Sequence, residues 1–351
     1  MILLSTNVQA QVLSIQWQKA LGGSGSDQAQ CIIQTSDGGY AVAGYSDSTS
    51  GDVTGNHGRF DYWIVKLNST GSIQWQKSLG GSGIDQATSI IQTTDGGYAV
   101  AGYSDSTSGD VTGNHGGADY WVVKLSSTGS IQWQKSLGGS GIDYAKSIIQ
   151  TFDGGYALAG YSNSVNGDVS GNHGGYDYWV VKLNNSGNIQ WQKSLGGNGN
   201  DYANSVTQTS DGGFALAGYS NSTNGDVTVN YGNNDYWVVK TSSIGTIEWQ
   251  KSLGGSGVDQ ANSVIQTSDG GYAVAGYSNS INGDVTGNHG NNDYWVVKMT
   301  SAGVINWQKT FGGGANDFAT SIIQTSDGGY TVIGYTLSTG GDVSGNHGGS
   351  D

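Results

Sequence analysis

The 351-residue chain carries 62 Gly, no Pro, 20 Tyr and 11 Trp, with only 11% charged residues and a formal net charge of −14. This composition predicts many turns between aromatic-rich strands and argues against helices, while recurring aromatic and β-branched residues argue against disorder. The acidic balance repels a phosphate backbone, which excludes nucleic acid and anionic membrane surfaces and leaves cations, neutral sugars or other proteins as partners.

In chain order, Met1-Ile2-Leu3-Leu4 precedes Val8-Gln9-Ala10, whose small residues stand at the −3 and −1 positions of a signal peptidase site before Gln11. Residues 1–10 therefore read as the remnant of a signal peptide, and the protein as secreted or displayed on a bacterial surface. No stretch approaches the roughly 20 apolar residues that span a bilayer. The single cysteine, Cys31, sits in the apolar run Cys31-Ile32-Ile33 and reads as a small core residue.

Residues 11–351 form one repeat domain. Trp17, Trp75, Trp133, Trp191, Trp249 and Trp307 recur every 58 residues without insertion or deletion. The repeats span 16–73, 74–131, 132–189, 190–247, 248–305 and an incomplete 306–351. In the second, a strand over 89–93 turns at Asp95-Gly96-Gly97 into a strand over 98–103, since Asp-Gly is a strong hairpin signal. After a long loop, a strand over 120–125 pairs through Ser-Ser-Thr-Gly with one over 130–135. Each unit is thus a four-stranded antiparallel meander. Trp121, Val123 and Leu125 share one face, and Ile131 and Trp133 share a face of the next strand. Small residues such as Ala99 and Ala101 leave room for a neighbouring sheet's indole. The expected fold is all-β, a β-propeller of four-stranded antiparallel blades built from six 58-residue repeats, the last truncated, with a β-solenoid as the structural alternative. The sequence stops at Asp351, one residue before the tyrosine of a sixth Asp-Tyr-Trp strand, so a monomer within a longer parent chain is expected. If the ring closes at six, the strand around Trp17 completes the last blade.

The pattern W-Q-K-x-L-G-G-x-G-x-D-x-A-x-S-I-x-Q-T-x-D-G-G-Y-x-x-A-G-Y, followed by D-Y-W-V-V-K-L, resembles the SBBP-type β-propeller repeats of bacterial secreted and surface proteins over nearly the whole chain. That resemblance implies an extracellular scaffold without agreed catalytic residues. The long Asn/Gly/His loop departs from the family's shorter repeats.

The Asp-Gly-Gly and Ser-Ser-Thr-Gly turns should share one face, with the Gly-Gly-Ser-Gly links and long loops on the other, where loops on a rigid scaffold carry function. Asp110, Thr112, Asn114 and Asp119 stand at positions 1, 3, 5 and 10 of a calcium-loop-like run. The corresponding candidate calcium ligands are Asp52, Asp61, Asp110, Asp119, Asp168, Asp177, Asp284 and Asp293. Position 6 holds His115 where the loop wants glycine, and position 12 holds Trp121 rather than Glu, so the competing reading is loop bracing by side-chain to backbone hydrogen bonds. No other cofactor is implied. Candidate ligand contacts are the loop residues Asn114, His115, Asn172 and His173, with the flanking tyrosines Tyr45, Tyr62, Tyr103, Tyr120 and Tyr161. Trp63 and Trp121 share their strand face with Val and Leu, which favours packing between blades over sugar stacking.

Catalysis finds little footing. Six matching environments cannot push one pair of carboxylates to different pKa values, and the Thr-x-Asp-x-Gly turn resembles the sialidase Asp-box hairpin, which is structural there. Gly80-Gly81-Ser82-Gly83 lacks the Gly-Lys-Ser/Thr of a phosphate loop. The expected function is a non-catalytic binding or display scaffold for carbohydrate or protein, working through repeated Asp/Asn/Gly-rich loops. The alternatives are a glycan-active hydrolase or lyase and a structural spacer of a larger adhesin.

Overall fold

Asp-Gly-Gly hairpins recur through the computed structural model, which describes residues 15–351; the signal-peptide reading of residues 1–10 lies outside them. Among the described residues there are 22 strands and no helix, hence no helix long and apolar enough to cross a membrane. The strands form five four-stranded antiparallel sheets and one of two strands, each in simple sequential order. In the second sheet they run Asp85–Gln92, Tyr98–Ser104, Asp119–Leu125 and Ile131–Leu137. The strands begin and end within a few residues of the expected positions, the first being longer by four residues at its start.

Local chemistry fixes each hairpin. At the turn after Gln92, Gly96 adopts φ 80°, a left-handed value that side-chain-bearing residues avoid. Thr93 Oγ1 donates to Asp95 Oδ1 at 2.5 Å, and the Gly97 amide donates to the same oxygen at 2.9 Å. Lys124 then reaches down from the third strand. Its ammonium, buried at the root of the turn, bonds Asp95 Oδ2 at 2.9 Å, the Leu125 carbonyl at 3.0 Å and Gln132 Oε1 at 2.9 Å. The Thr-x-Asp-x-Gly pattern is therefore structural, and the strand lysine is its partner.

Between sheets the core follows the expected large-against-small pairing. Ala41 and Ala43 of the first sheet pack in one cluster with Trp121, Val123 and Leu125 of the second. Tyr62 lies against Trp121, ring centroids 4.6 Å apart, and donates its hydroxyl to the Trp121 carbonyl at 2.8 Å. The same pair recurs as Tyr120–Trp179, Tyr178–Trp237 and Tyr236–Trp295. One expectation fails locally. A register shift opposite Lys124 and Leu125 puts a bulge between Ile131 and Trp133, so Trp133 packs on the next sheet while Ile131 is left exposed.

The sheets surround one axis, as the cavity described below requires, but ring closure is not seen. The sixth sheet contains Asp317–Gln324 and Tyr330–Thr336 only, extended by a single rung in which Asp351 and Thr336 exchange backbone hydrogen bonds of 2.9 and 3.0 Å. The segment around Trp17 is not a strand and does not pair with it. Instead, Trp17 lies edge-on to Tyr40 at 5.5 Å and donates to the Ser69 carbonyl at 3.1 Å, as Trp75 does to Tyr98 and Ser127. That residue therefore occupies the position an outer strand takes on the following blade. The facing surfaces of the first and last sheets stay open, with Ile32 and Ile333 about equally exposed at 61% and 60%.

Candidate binding site at the axial mouth

A bulge repeated in every blade builds the site. The first and second strands slip register at Ala29/Cys31, Ala87/Ser89, Ala203/Ser205, Ala261/Ser263 and Ala319/Ser321, with the matching slip at Ala159/Gly160 in the third sheet. The extra residue has no cross-strand partner, and a bulge re-aims such a side chain. All six, Gln30, Thr88, Lys146, Asn204, Asn262 and Thr320, line one cavity of about 350 Å³ with Tyr277, Phe318 and Tyr335. Residues so far apart in sequence can meet only at an axis.

Three of these side chains stitch one blade to the next. Thr88 Oγ1 donates to the Ala145 carbonyl at 2.9 Å, Asn204 Nδ2 to Ala261 at 2.8 Å and Asn262 Nδ2 to Ala319 at 2.7 Å. Lys146 makes no ion pair among the described residues, unlike the five lysines that hold the turns. Its ammonium stands 5.7 Å from the centroid of the Tyr161 ring, and burial pulls its pKa down.

Toward the long loops, beyond the cavity lining, tyrosines cluster from blade to blade at the ends of the same strands, Tyr161 beneath Lys146. Tyr103 stacks on Tyr144 with centroids 3.9 Å apart and planes 20° from parallel. Tyr144 continues to Tyr161 at 5.5 Å, Tyr161 to Tyr202 at 4.6 Å and Tyr202 to Tyr219 at 4.9 Å, with Tyr176 bridging Tyr161 and Tyr202. A second group, Tyr277, Phe318 and Tyr335, sits on the fifth and sixth blades. Elsewhere Gln takes the place of the inner aromatic ring, and Tyr45 and Tyr103 each donate to it, at Gln28 and Gln86, over 2.5 Å. The cluster is consequently lopsided, densest on blades two to four where Lys146 lies.

The candidate residues named from the sequence separate into three groups. Tyr45, Tyr103 and Tyr161 belong to the cluster. Tyr62 and Tyr120 do not reach a ligand: both are fully buried, with their hydroxyls spent on the next blade. The loop residues are committed to their own loop. Asn114 Nδ2 donates to the Ser104 carbonyl at 3.1 Å and its Oδ1 accepts from Gly116 at 3.0 Å, and Asn172 repeats this with Ser162 and Gly174. His115 bonds Asp119 Oδ2 through both its amide, at 2.8 Å, and Nδ1, at 2.7 Å, and His173 does the same with Asp177.

The eight candidate calcium ligands fall into two sets. Asp52, Asp110, Asp168 and Asp284 each accept from the first glycine of the Gly-Gly link, Gly22, Gly80, Gly138 and Gly254, at 3.1 to 3.3 Å. Asp61, Asp119, Asp177 and Asp293 are buried beneath the loop and face the adjacent blade's Asp85, Asp143, Asp201 and Asp317 across a glycine. Among the described residues no three His, Cys, Asp or Glu side chains converge. Burial, opposed by the His115 hydrogen bonds, pushes Asp119 up to about 6, and Asp177 likewise. Each of the eight aspartates braces the loop through one backbone amide, and Asp61, Asp119, Asp177 and Asp293 do so through Oδ2 while their Oδ1 atoms are buried without a hydrogen-bond partner.

Sequence reasoning missed Lys146, Tyr144, Tyr176, Tyr202, Tyr219 and Tyr277. The signal was present. In the repeated motif D-x-A-x-S, with Cys31 in place of Ser in the first copy, the first x reads Gln28, Gln86, Tyr144, Tyr202, Gln260, Phe318, and the second reads Gln30, Thr88, Lys146, Asn204, Asn262, Thr320. The second x varies from copy to copy, and in all six copies it faces the axis.

The chain matches no family model and no curated protein sequence. Among solved structures it is similar to the Neurospora crassa Pan2 WD40 domain, at 10% identity and a TM-score of 0.44, covering 87% of this chain and 85% of that one. It is also similar to Chaetomium thermophilum Sqt1, at 12% identity and 0.45, covering 85% of this chain and 64% of that one, so it spans less than two thirds of that protein. BamB from Moraxella catarrhalis is a further likeness, at 14% identity and 0.36, covering 87% and 96%.

Proposed function

We propose that this protein is a non-catalytic extracellular binding scaffold of the SBBP-type propeller repeats, and that it takes carbohydrate at the axial mouth. The observation that carries the reading is the convergence of the six bulged side chains on a polar channel walled by Tyr277, Phe318 and Tyr335, with the tyrosine cluster of blades two to four on its loop side. Concave sites with aromatic walls and a few polar groups are where small ligands bind, and their usual volume range begins at about 300 Å³. Tyrosine faces suit the apolar faces of sugar rings, while the acceptor oxygen of Asn204, which takes no hydrogen bond among the described residues, suits a hydroxyl; Asn262 Oδ1 already accepts from Asn204 Nδ2 at 3.4 Å. The blade signature D-Y-W-V-V-K-L and the signal-like start support the family and export.

This reading moves the site from the ring of loops to the axis. A shallower polar cleft does lie beside the loops at His115 and Asp168, of about 470 Å³, and it recurs at His289 and Asp342. It supports a second reading, repeated weak contacts whose strength comes from multivalency. A hydrolase or lyase has less support. The Asp119–Asp143 pairing recurs from blade to blade, whereas acid–base catalysis needs two carboxylates in unlike environments.

The test is an oligosaccharide array probed with the full chain and with Tyr161→Ala/Tyr202→Ala, in calcium and in EDTA. Binding that survives EDTA and disappears in the double variant is expected. Binding lost in EDTA but kept in the variant would move the site to the loops, and silence throughout would leave the spacer reading.

A further inference from the structure

Outside the six turns and outer strands, the repeats contain almost no positive charge. Each complete unit has one lysine in its third strand and one in its fourth, such as Lys124 and Lys135, and Lys19 precedes the first. Only Arg59 and Lys146 have no counterpart in the other copies. Arg59 is exposed on a first-blade loop. Lys146 instead stands in the axial channel, where the equivalent positions hold Gln, Thr, Asn, Asn and Thr.

A cation in a half-buried channel ordinarily has a carboxylate beside it, since removing the charge from water is costly. Lys146 has none among the described residues, although the chain carries 27 acidic residues. Its surroundings are neutral: Thr88, Asn204 and Asn262 around the channel, and the face of Tyr161 at 5.7 Å. Burial has only lowered its pKa, and no nearby anion offsets that. The site thus has a cation and acceptor oxygens beside a stacking platform, and lacks an anion.

We propose that the axial site selects a sugar bearing a single carboxylate, with Lys146 taking the carboxylate inside the channel while Tyr144, Tyr161 and Tyr202 stack on the ring or its neighbour. This deepens the carbohydrate reading and rests on it. One carboxylate, rather than a polyanion, fits the arithmetic of charge: a single unpaired ammonium stands within a chain of net charge −14, which repels a polyuronate laid across the face. An ammonium-to-carboxylate hydrogen bond in a partly dehydrated site is about twice as strong as a neutral one, so the charge gives specificity that stacking alone lacks.

The experiment is calorimetry of the full chain against a panel of disaccharides carrying one uronate each, every one beside its methyl ester, which keeps the shape and removes the charge. Lys146→Asn is the test variant, because Asn204 and Asn262 occupy the same position in folded blades; Arg59→Gln controls for diffuse attraction. The acids are expected to bind the wild-type chain about ten- to a hundredfold more tightly than their esters. In Lys146→Asn that preference should vanish with ester affinity unchanged, and in Arg59→Gln it should persist. Equal binding of acid and ester, or a preference that survives Lys146→Asn, overturns the proposal and leaves the carbohydrate site standing. Binding of neither defeats both.

Discussion

At the scale of residues, the same side chain on the same sheet face can be an anchor or a contact depending on which strand of the blade carries it. Tyr120 and Tyr103 both flank a long loop in the sequence, yet Tyr120 is buried against Trp179 and Tyr103 stacks at the axial mouth. Their strands are neighbours in one sheet, where the two tyrosines are cross-strand partners. Only the three-dimensional stacking of blades separates their roles. Replacing Trp179 with Ala should cost about 3–5 kcal/mol, the usual result of emptying a fully buried aromatic site, read as a lower midpoint in urea unfolding. Tyr161→Ala, at the half-open mouth, should cost far less stability and abolish sugar binding. A Tyr161→Ala chain that unfolds as readily as Trp179→Ala would mean that the cluster is core.

At the scale of elements, the hairpin and the bulge were not equally legible. Asp95-Gly96-Gly97 announces its turn because two unlike constraints are written into it. Gly96 has open space around it and a left-handed φ of 80°, so Gly96→Ala should cost only backbone strain, about 1–2 kcal/mol. Gly97 has an ordinary φ, but a Cβ there would lie 2.2 Å from the Leu125 carbonyl oxygen, so Gly97→Ala must push the third strand away and should be the more damaging. Thermal unfolding of the two variants ranks them, and the reverse order would contradict this account of the turn. The bulge left no such composition signal. Ala-x-Ser within an apolar strand looks like simple alternation, and nothing in one copy says that x is unpaired and turned to the axis. Only the comparison of copies, which shows x varying while Ala87 and its equivalents do not, exposes it. In the long loops Asp, Asn and Gly are the residues of calcium loops and of braced turns alike, and there Asp110 and Asn114 hydrogen-bond backbone groups.

Over the whole molecule, repetition multiplies small electrostatic choices. Burial raises Asp119, Asp177 and Asp235 to about 6, while hydrogen bonds from Thr and Lys, outweighing burial at the turns, hold Asp95, Asp153 and Asp211 at about 2. The raised groups stabilise the fold fully below the ordinary value of 3.8 and lose that contribution as pH rises to about 6. The lowered groups stabilise above 3.8 and lose theirs as pH falls toward 2. Stability should therefore peak near about pH 4 and decline towards neutrality, with Tm lower at about pH 7 than at about pH 4.5. Asp119→Asn, which mimics the protonated form, should flatten part of that decline; a Tm that climbs steadily to neutral pH would contradict the assignment. The stacked-blade architecture itself was readable from the period and from indole facing alanine, whereas the open gap between the first and last sheets was not. The claim on which the functional account turns is that ligand sits on the axis and not among the loops. A crystal structure of the full chain with its tightest sugar measures this directly. The account predicts density against Tyr144, Tyr161 and Tyr202, within hydrogen-bond reach of Lys146. Density in the cleft of His115 and Asp168, with the channel filled by water alone, would contradict it.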